Sequence, residues 1–209
     1  MRAIVPVNSP SFAKSRLEPL LSPGQRAGLL EAMLADVVAA CRAARSVDGV
    51  LVVTPDPNLA PVGTEVLRDR GRGHAKAIAE ALADPRSAAG AVIVMADCPL
   101  VRPETIDLLV AAARPVALCP AQDGGTNALA LIPGDTFEPV FGVPGGAAAN
   151  AQRARLRGFR VEVIDDPLAA LDLDSPDDAR RLLELGHSTR THAFLDQALA
   201  ASAEFCGTG

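Results

Sequence analysis

Val92-Ile93-Val94-Met95-Ala96-Asp97-Cys98-Pro99-Leu100 decides how this chain is read. The run from Ala91 to Met95 is apolar throughout and rich in β-branched residues, which marks a strand buried in a sheet core. It runs straight into Asp97. That sets a carboxylate at the carboxyl end of a sheet, where α/β proteins bind their ligands. Pro99 fixes the turn that follows. An aspartate in this place either caps the next helix or holds a cation, and its position favours the cation. Mg²⁺ prefers such oxygen donors.

Working outward, short Val- and Ile-rich runs alternate with longer amphipathic ones. Strands are expected at 2–7, 49–53, 65–67, 91–95, 116–119, 127–132 and 160–164, and helices at 24–45, 75–83, 103–112, 146–157 and 176–185. In the first helix Leu29, Leu30, Met33, Leu34, Val37, Val38 and Cys41 recur at the spacing that paints one face. Ser22-Pro23 supplies its cap and first-turn proline. Such alternation predicts an α/β fold: a mostly parallel sheet with helices on both faces. Residues 1–186 read as one domain and 187–209 as a C-terminal appendage. Phe194, Leu195, Leu199 and Phe205 would dock that appendage on the body or on a second subunit, as in a homodimer.

The totals narrow the function classes. A chain of 209 residues suits one large domain, and 49% hydrophobic residues exclude a disordered one. The apolar runs are far too short to cross a bilayer, and the start Met-Arg-Ala-Ile-Val-Pro lacks a signal peptide's apolar stretch, so a cytoplasmic protein with no membrane partner is expected. The net charge of −5 and the lack of Trp and Tyr argue against nucleic acid as a partner. Cys41, Cys98, Cys119 and Cys206 are too scattered for a metal pair and read as core residues or a tail thiol.

Five stretches carry candidate chemistry. After the first strand comes Asn8-Ser9-Pro10-Ser11-Phe12-Ala13-Lys14-Ser15-Arg16-Leu17, a polar loop whose Lys14 and Arg16 suit phosphates. The second is Asp97. In Leu171-Asp172-Leu173-Asp174-Ser175-Pro176 two carboxylates sit two residues apart and face the same way if the chain is extended. Like charges that close need a cation between them, although Asp174 also suits a helix cap. In Asp123-Gly124-Gly125-Thr126-Asn127-Ala128-Leu129 the glycines admit a ligand to the backbone, with Thr126 and Asn127 as donors, or else form a plain hairpin turn. Phe141-Gly142-Val143-Pro144-Gly145-Gly146 makes a second anion-binding concavity leading into a helix N-terminus. Asp165-Asp166 before Pro167 reads as a turn.

Taken together, Val5-Pro6-Val7, Ala13-Lys14-Ser15-Arg16-Leu17, Ala96-Asp97-Cys98-Pro99-Leu100, Asp123-Gly124-Gly125-Thr126-Asn127-Ala128-Leu129, Phe141-Gly142 and Asp172-Leu173-Asp174-Ser175-Pro176 resemble the 2-phospho-L-lactate guanylyltransferase family of coenzyme F420 biosynthesis. The resemblance implies a Rossmann-like nucleotidyltransferase fold, GTP as the donor substrate and Mg²⁺ as cofactor. The acceptor it implies is 2-phospho-L-lactate, phosphoenolpyruvate or 3-phospho-D-glycerate. By motif, Asp97, Asp172 and Asp174 would hold metal, and Lys14 would neutralise the triphosphate. Thr126, Gly142 and the backbone near Gly145 would hold the acceptor, with Arg16 and Asn127 beside them and Gly73 near the nucleotide. The chain departs from the family pattern at Asn8, where lysine is usual, at Gly73-His74-Ala75-Lys76-Ala77, where Gly-Leu-Asn-x-Ala is usual, and at Gly145-Gly146-Ala147-Ala148-Ala149-Asn150, where Gly-Ser-Phe-x-x-His is usual. The rival readings are a sugar-nucleotide-dependent glycosyltransferase and a non-catalytic nucleotide-binding paralogue.

Overall fold

The structure, a computed structural model, describes residues 1–8, 14–70 and 73–206, with backbone only from 201 onward. Most of the polar loop between Asn8 and Lys14, and the side chain of Phe205, therefore lie outside the described residues. Seven strands form one sheet: β1 (Arg2–Pro6), β2 (Gly49–Thr54), β3 (Glu65–Arg68), β4 (Ala91–Val94), β5 (Pro115–Pro120), β6 (Thr126–Leu131) and β7 (Arg160–Val163), in the order β3-β2-β1-β4-β6-β5-β7. Only β6 runs antiparallel to its neighbours. The tight turn after β5 explains this, since a two-strand hairpin reverses direction where a helical crossover would not. The chain leaves β1 for β2 on one side and returns to β4 on the other, so a crevice opens at the carboxyl ends of β1 and β4.

Six helices cover the sheet among the described residues: α1 (Pro23–Ala43), α2 (His74–Ala83), α3 (Pro103–Ala112), α4 (Gly146–Leu156), α5 (Pro176–Leu185) and α6 (Arg190–Cys206). The period of two along each strand divides the core. Ala3, Val5, Val50, Val52, Val92, Val94 and Ala130 face α1, α3, α5 and α6. Ile4, Leu51, Val53, Ile93, Leu129 and Leu131 face α2 and α4. Register preserves this division, with Ile4 opposite both Leu51 and Ile93.

Helix boundaries follow their caps. Ser22 and Gln25 form a reciprocal capping box that starts α1 at Pro23, and Ala44 turns extended, so the helix stops short of the expected residue 45. Ser175 and Asp178 do the same for α5. Asp36 of α1 accepts hydrogen bonds from the backbone N–H groups of Arg190 and Thr191, which ties down the start of α6. Leu195 is fully buried, and Phe194 lies so close to Gly28 that a Cβ there would sit 2.7 Å from its ring. Of the two docking options left open by the sequence, Phe194, Leu195 and Leu199 take the body of the same chain. Among the described residues no helix is long and apolar enough to cross a membrane.

Candidate active site

Asp97 lies three residues past the end of β4, at the crevice between β1 and β4. Lys14 lies after β1, in a left-handed backbone conformation (φ 59°), at the head of a short 3₁₀ turn over Ser15–Leu17. That conformation is uncommon for a residue with a Cβ and often marks a functional position. Its side chain is 7% exposed, and its ammonium donates to Asp97 Oδ2 at 2.8 Å and to Asp174 Oδ1. Leu173 is buried, and its backbone N–H donates to the carbonyl of Asp97 at 3.0 Å. This bond pins the loop before α5 against Asp97. With Leu173 turned into the core, Asp172 and Asp174 both line the cleft.

The charges are out of balance. Burial works against the Lys14 ammonium, yet Asp97 and Asp174 outweigh it and hold the lysine firmly charged. Burial likewise pushes the Asp97 carboxyl up, and Lys14 overcomes that to hold it below its ordinary value. Asp172 lacks this help. Burial, then Asp97, then Asp174 push its carboxyl up to about 6, with Asn127 Nδ2 3.5 Å away as a weak donor. Two carboxylates therefore share one ammonium, and a third stands beside them without a cation. Crowded carboxylates of this kind fit a divalent cation with oxygen ligands. As arranged, no three His, Cys, Asp or Glu side chains among the described residues are gathered to ligating distance. The Lys14 ammonium stands between Asp97 and Asp174 instead.

Two cavities meet on this carboxylate floor. The smaller, about 180 Å³, is lined by Asn8, Lys14, His74 and Leu30 together with Asp97 and Asp174. The larger, about 510 Å³, is lined by Arg16, Asp123, Thr126, Asn127, Gly142 and Val143 together with Asp97, Asp172 and Asp174. The N-terminus of α2 opens on the smaller and that of α4 stands behind the larger, so each contributes partial positive charge.

Of the residues expected from the sequence, Lys14, Arg16, Asp97, Thr126, Asn127, Gly142, Asp172 and Asp174 line one or both cavities. Gly73 (φ 90°) caps α2 next to His74, and Gly145 (φ 69°) caps α4. Neither glycine is among the lining residues. Asn127 is 5% exposed, and its amide donates to the carbonyl of Ala169 at 3.1 Å, which tethers β6 to the loop carrying Asp172. The 121–125 segment is a tight hairpin turn, closed by Ala121 N–H to Gly125 O at 2.9 Å, while Asp123 and Gly125 still face the larger cavity. Asp166 holds a turn as expected, accepting from Leu168 N–H at 3.0 Å, and also binds Arg102 and Thr105.

Two residues that the sequence marked only as departures from the family pattern belong to the walls of the site. His74 lines the smaller cavity with a buried Nδ1 that lacks a partner among the described residues, and burial holds its imidazole below the ordinary histidine range. Asn150 is fully buried beneath the larger cavity. Cys41, Cys98 and Cys119 are buried free thiols, and burial pushes Cys41 up to about 12. They are core residues, as their scatter suggested.

The family model described as "Guanylyl transferase CofC like" matches residues 1–206. A phosphoenolpyruvate guanylyltransferase from Sphaerobacter thermophilus is 40% identical over 197 residues, covering 89% of this chain and 93% of its own. A 3-phospho-D-glycerate guanylyltransferase from Phenylobacterium zucineum is 36% identical (85% and 87% covered), and a 2-phospho-L-lactate guanylyltransferase from Methanothermobacter thermautotrophicus is 34% identical (92% and 88% covered). Among solved structures, a protein from Desulfovibrio desulfuricans, provisionally described as a nucleotide-diphospho-sugar transferase, superposes with TM-score 0.77 at 17% identity over 96% of both chains. A 4-diphosphocytidyl-2C-methyl-D-erythritol synthase superposes with TM-score 0.61 at 15% identity, covering 89% of this chain and 98% of its own. Both likenesses concern the fold, which is that of nucleotidyltransferases. The chain belongs to the guanylyl transferase CofC-like family.

Proposed function

We propose that this protein transfers GMP from GTP to a small phosphorylated acid and releases pyrophosphate, as a step in coenzyme F420 biosynthesis in the cytoplasm. The observation that carries the reading is the cleft floor, where Lys14 is clamped between Asp97 and Asp174 while the carboxyl of Asp172 is pushed up to about 6. Such a floor suits a triphosphate and a cation together, and the names of the relatives supply guanine and the phospho-acid.

Asp97, Asp172 and Asp174 would hold Mg²⁺. When bound, that ion supplies charge neutralisation at the phosphates and a fixed orientation for them. Lys14 neutralises the triphosphate on the side of the smaller cavity, next to the N-terminus of α2. Thr126, the backbone at Gly142 and Arg16 hold the acceptor in the larger cavity, with Gly145 behind them as the cap of α4. Arg16 is exposed at its rim and provides a cation for an anionic acceptor. An oxygen of the acceptor's phosphate attacks the α-phosphorus of GTP. The bond from that phosphorus to the bridging oxygen breaks, and pyrophosphate departs with the electron pair. A phosphate monoester is already ionised near neutral pH, so no side chain has to remove a proton. Positioning and charge neutralisation account for the catalysis.

The test is a grid of GTP, ATP, CTP and UTP against phosphoenolpyruvate, 2-phospho-L-lactate and 3-phospho-D-glycerate with Mg²⁺, reading pyrophosphate. The proposal expects release with GTP and at least one acid, and none without an acid. No release in any well would overturn it. A sugar-nucleotide-dependent glycosyltransferase would release no pyrophosphate, and the names of the relatives do not favour that alternative.

A further inference from the structure

The wall of the larger cavity is held by one side chain that no ligand can touch. Asn150, in α4, is fully buried. Its Oδ1 accepts the N–H of Val140 at 2.8 Å. Its Nδ2 donates to the carbonyl of Val140 at 2.9 Å and to Oγ1 of Thr126 at 3.1 Å. A backbone N–H can only donate and a carbonyl can only accept, so the orientation of this amide is fixed by its partners. Thr126 Oγ1 therefore receives a hydrogen bond, and its own proton must point elsewhere. Among the described residues it meets no acceptor, and Thr126 lines the cavity.

We propose that Asn150 is a positioning residue that makes Thr126 a hydrogen-bond donor aimed at the anionic group of the acceptor. The proposal rests on reading the larger cavity as the acceptor site. A carboxylate or phosphate oxygen can only accept. A threonine free to rotate could turn its proton inward and present a lone pair to that anion. With its lone pair engaged by Asn150, the hydroxyl stands oriented before the ligand arrives, and the ordering cost is met in folding rather than in binding. The same amide clasps Val140 just before Phe141 and Gly142, so the hydroxyl and the glycine-rich backbone are placed by one group.

Asn150→Asp tests this. A carboxylate in that place still accepts from Val140 N–H but offers Thr126 only an acceptor, so the hydroxyl turns inward and its donor is lost. The acceptor KM is expected to rise about ten-fold or more, with GTP KM and kcat at saturating acceptor within about three-fold of wild type. Thr126→Val should match it, Thr126→Ser should stay near wild type, and the double variant Asn150→Asp/Thr126→Val should be no worse than either single. If Asn150→Asp loses its cooperative melt, Asn150→Ser replaces it, with a rise in acceptor KM expected in the same direction. An unchanged acceptor KM in the folded Asn150 variant, or penalties that multiply in the double variant, overturns the proposal. An unchanged acceptor KM in Thr126→Val instead overturns the acceptor-site reading itself.

Discussion

Replacing Asp172 by asparagine should make the metal-free protein more stable while removing its function. The carboxyl is pushed from an ordinary 3.8 to about 6 by burial, Asp97 and Asp174. A shift of that size corresponds to about 3 kcal/mol against the ionised form, and discounting for the side chain's partial contact with water leaves about 1–2 kcal/mol. The pH dependence has a definite sign. Below the unfolded value both states keep the proton, and Asp172 costs nothing. As pH rises through the window from 3.8 to about 6 the unfolded chain loses the proton first, so folded stability falls. Above that window the full penalty applies. Urea denaturation with EDTA, in steps between about pH 4 and pH 8, should show Asp172→Asn equal to wild type at the acid end and more stable at the basic end. Saturating Mg²⁺ and GTP should stabilise wild type strongly and the variant much less. A variant that is no more stable than wild type at pH 8, or a difference independent of pH, would refute the argument that the carboxylates crowd one another.

Other sites give further tests. Lys14→Met strips Asp97 and Asp174 of their shared cation. Turnover should fall about a hundred-fold or more, and the melting temperature should depend more steeply on added Mg²⁺ than in wild type. Asp166→Ala leaves Thr105 and the turn at Leu168 without their acceptor, so it should lose about 2–3 kcal/mol in urea titration with little change in acceptor KM. Leu195→Ala opens a cavity where α6 meets the core and should cost about 2–4 kcal/mol, read by the same titration.

The parts of the fold carried by local pattern were legible. An apolar run that ends in Asp97 has one sensible place in a sheet, and the spacing of Asp172 and Asp174 around buried Leu173 puts both on one side. The cap at Ser22 was equally plain, whereas the helix after Asp174 is capped by Ser175 and not by the aspartate. What could not be read are the pairings between distant residues. Lys14 is 83 residues from Asp97 and 160 from Asp174, and nothing in the loop specifies both as partners. Asn127 read as a ligand donor because its neighbours are glycine and threonine, yet its amide is engaged by Ala169, a contact set by how two loops cross. Asn150 was marked only as a departure from the family's histidine, with no partner indicated. Its role follows from where Val140 and Thr126 come to rest.

Asp97, Asp172 and Asp174 line one cleft, and in the proposed function they act there as a unit on a nucleotide's phosphates. Pyrophosphate release from GTP, measured in the presence of the best phospho-acid and Mg²⁺, tests it most directly in Asp97→Ala. The rate should fall about a thousand-fold or more with the protein still folded. Turnover at the wild-type rate would contradict it.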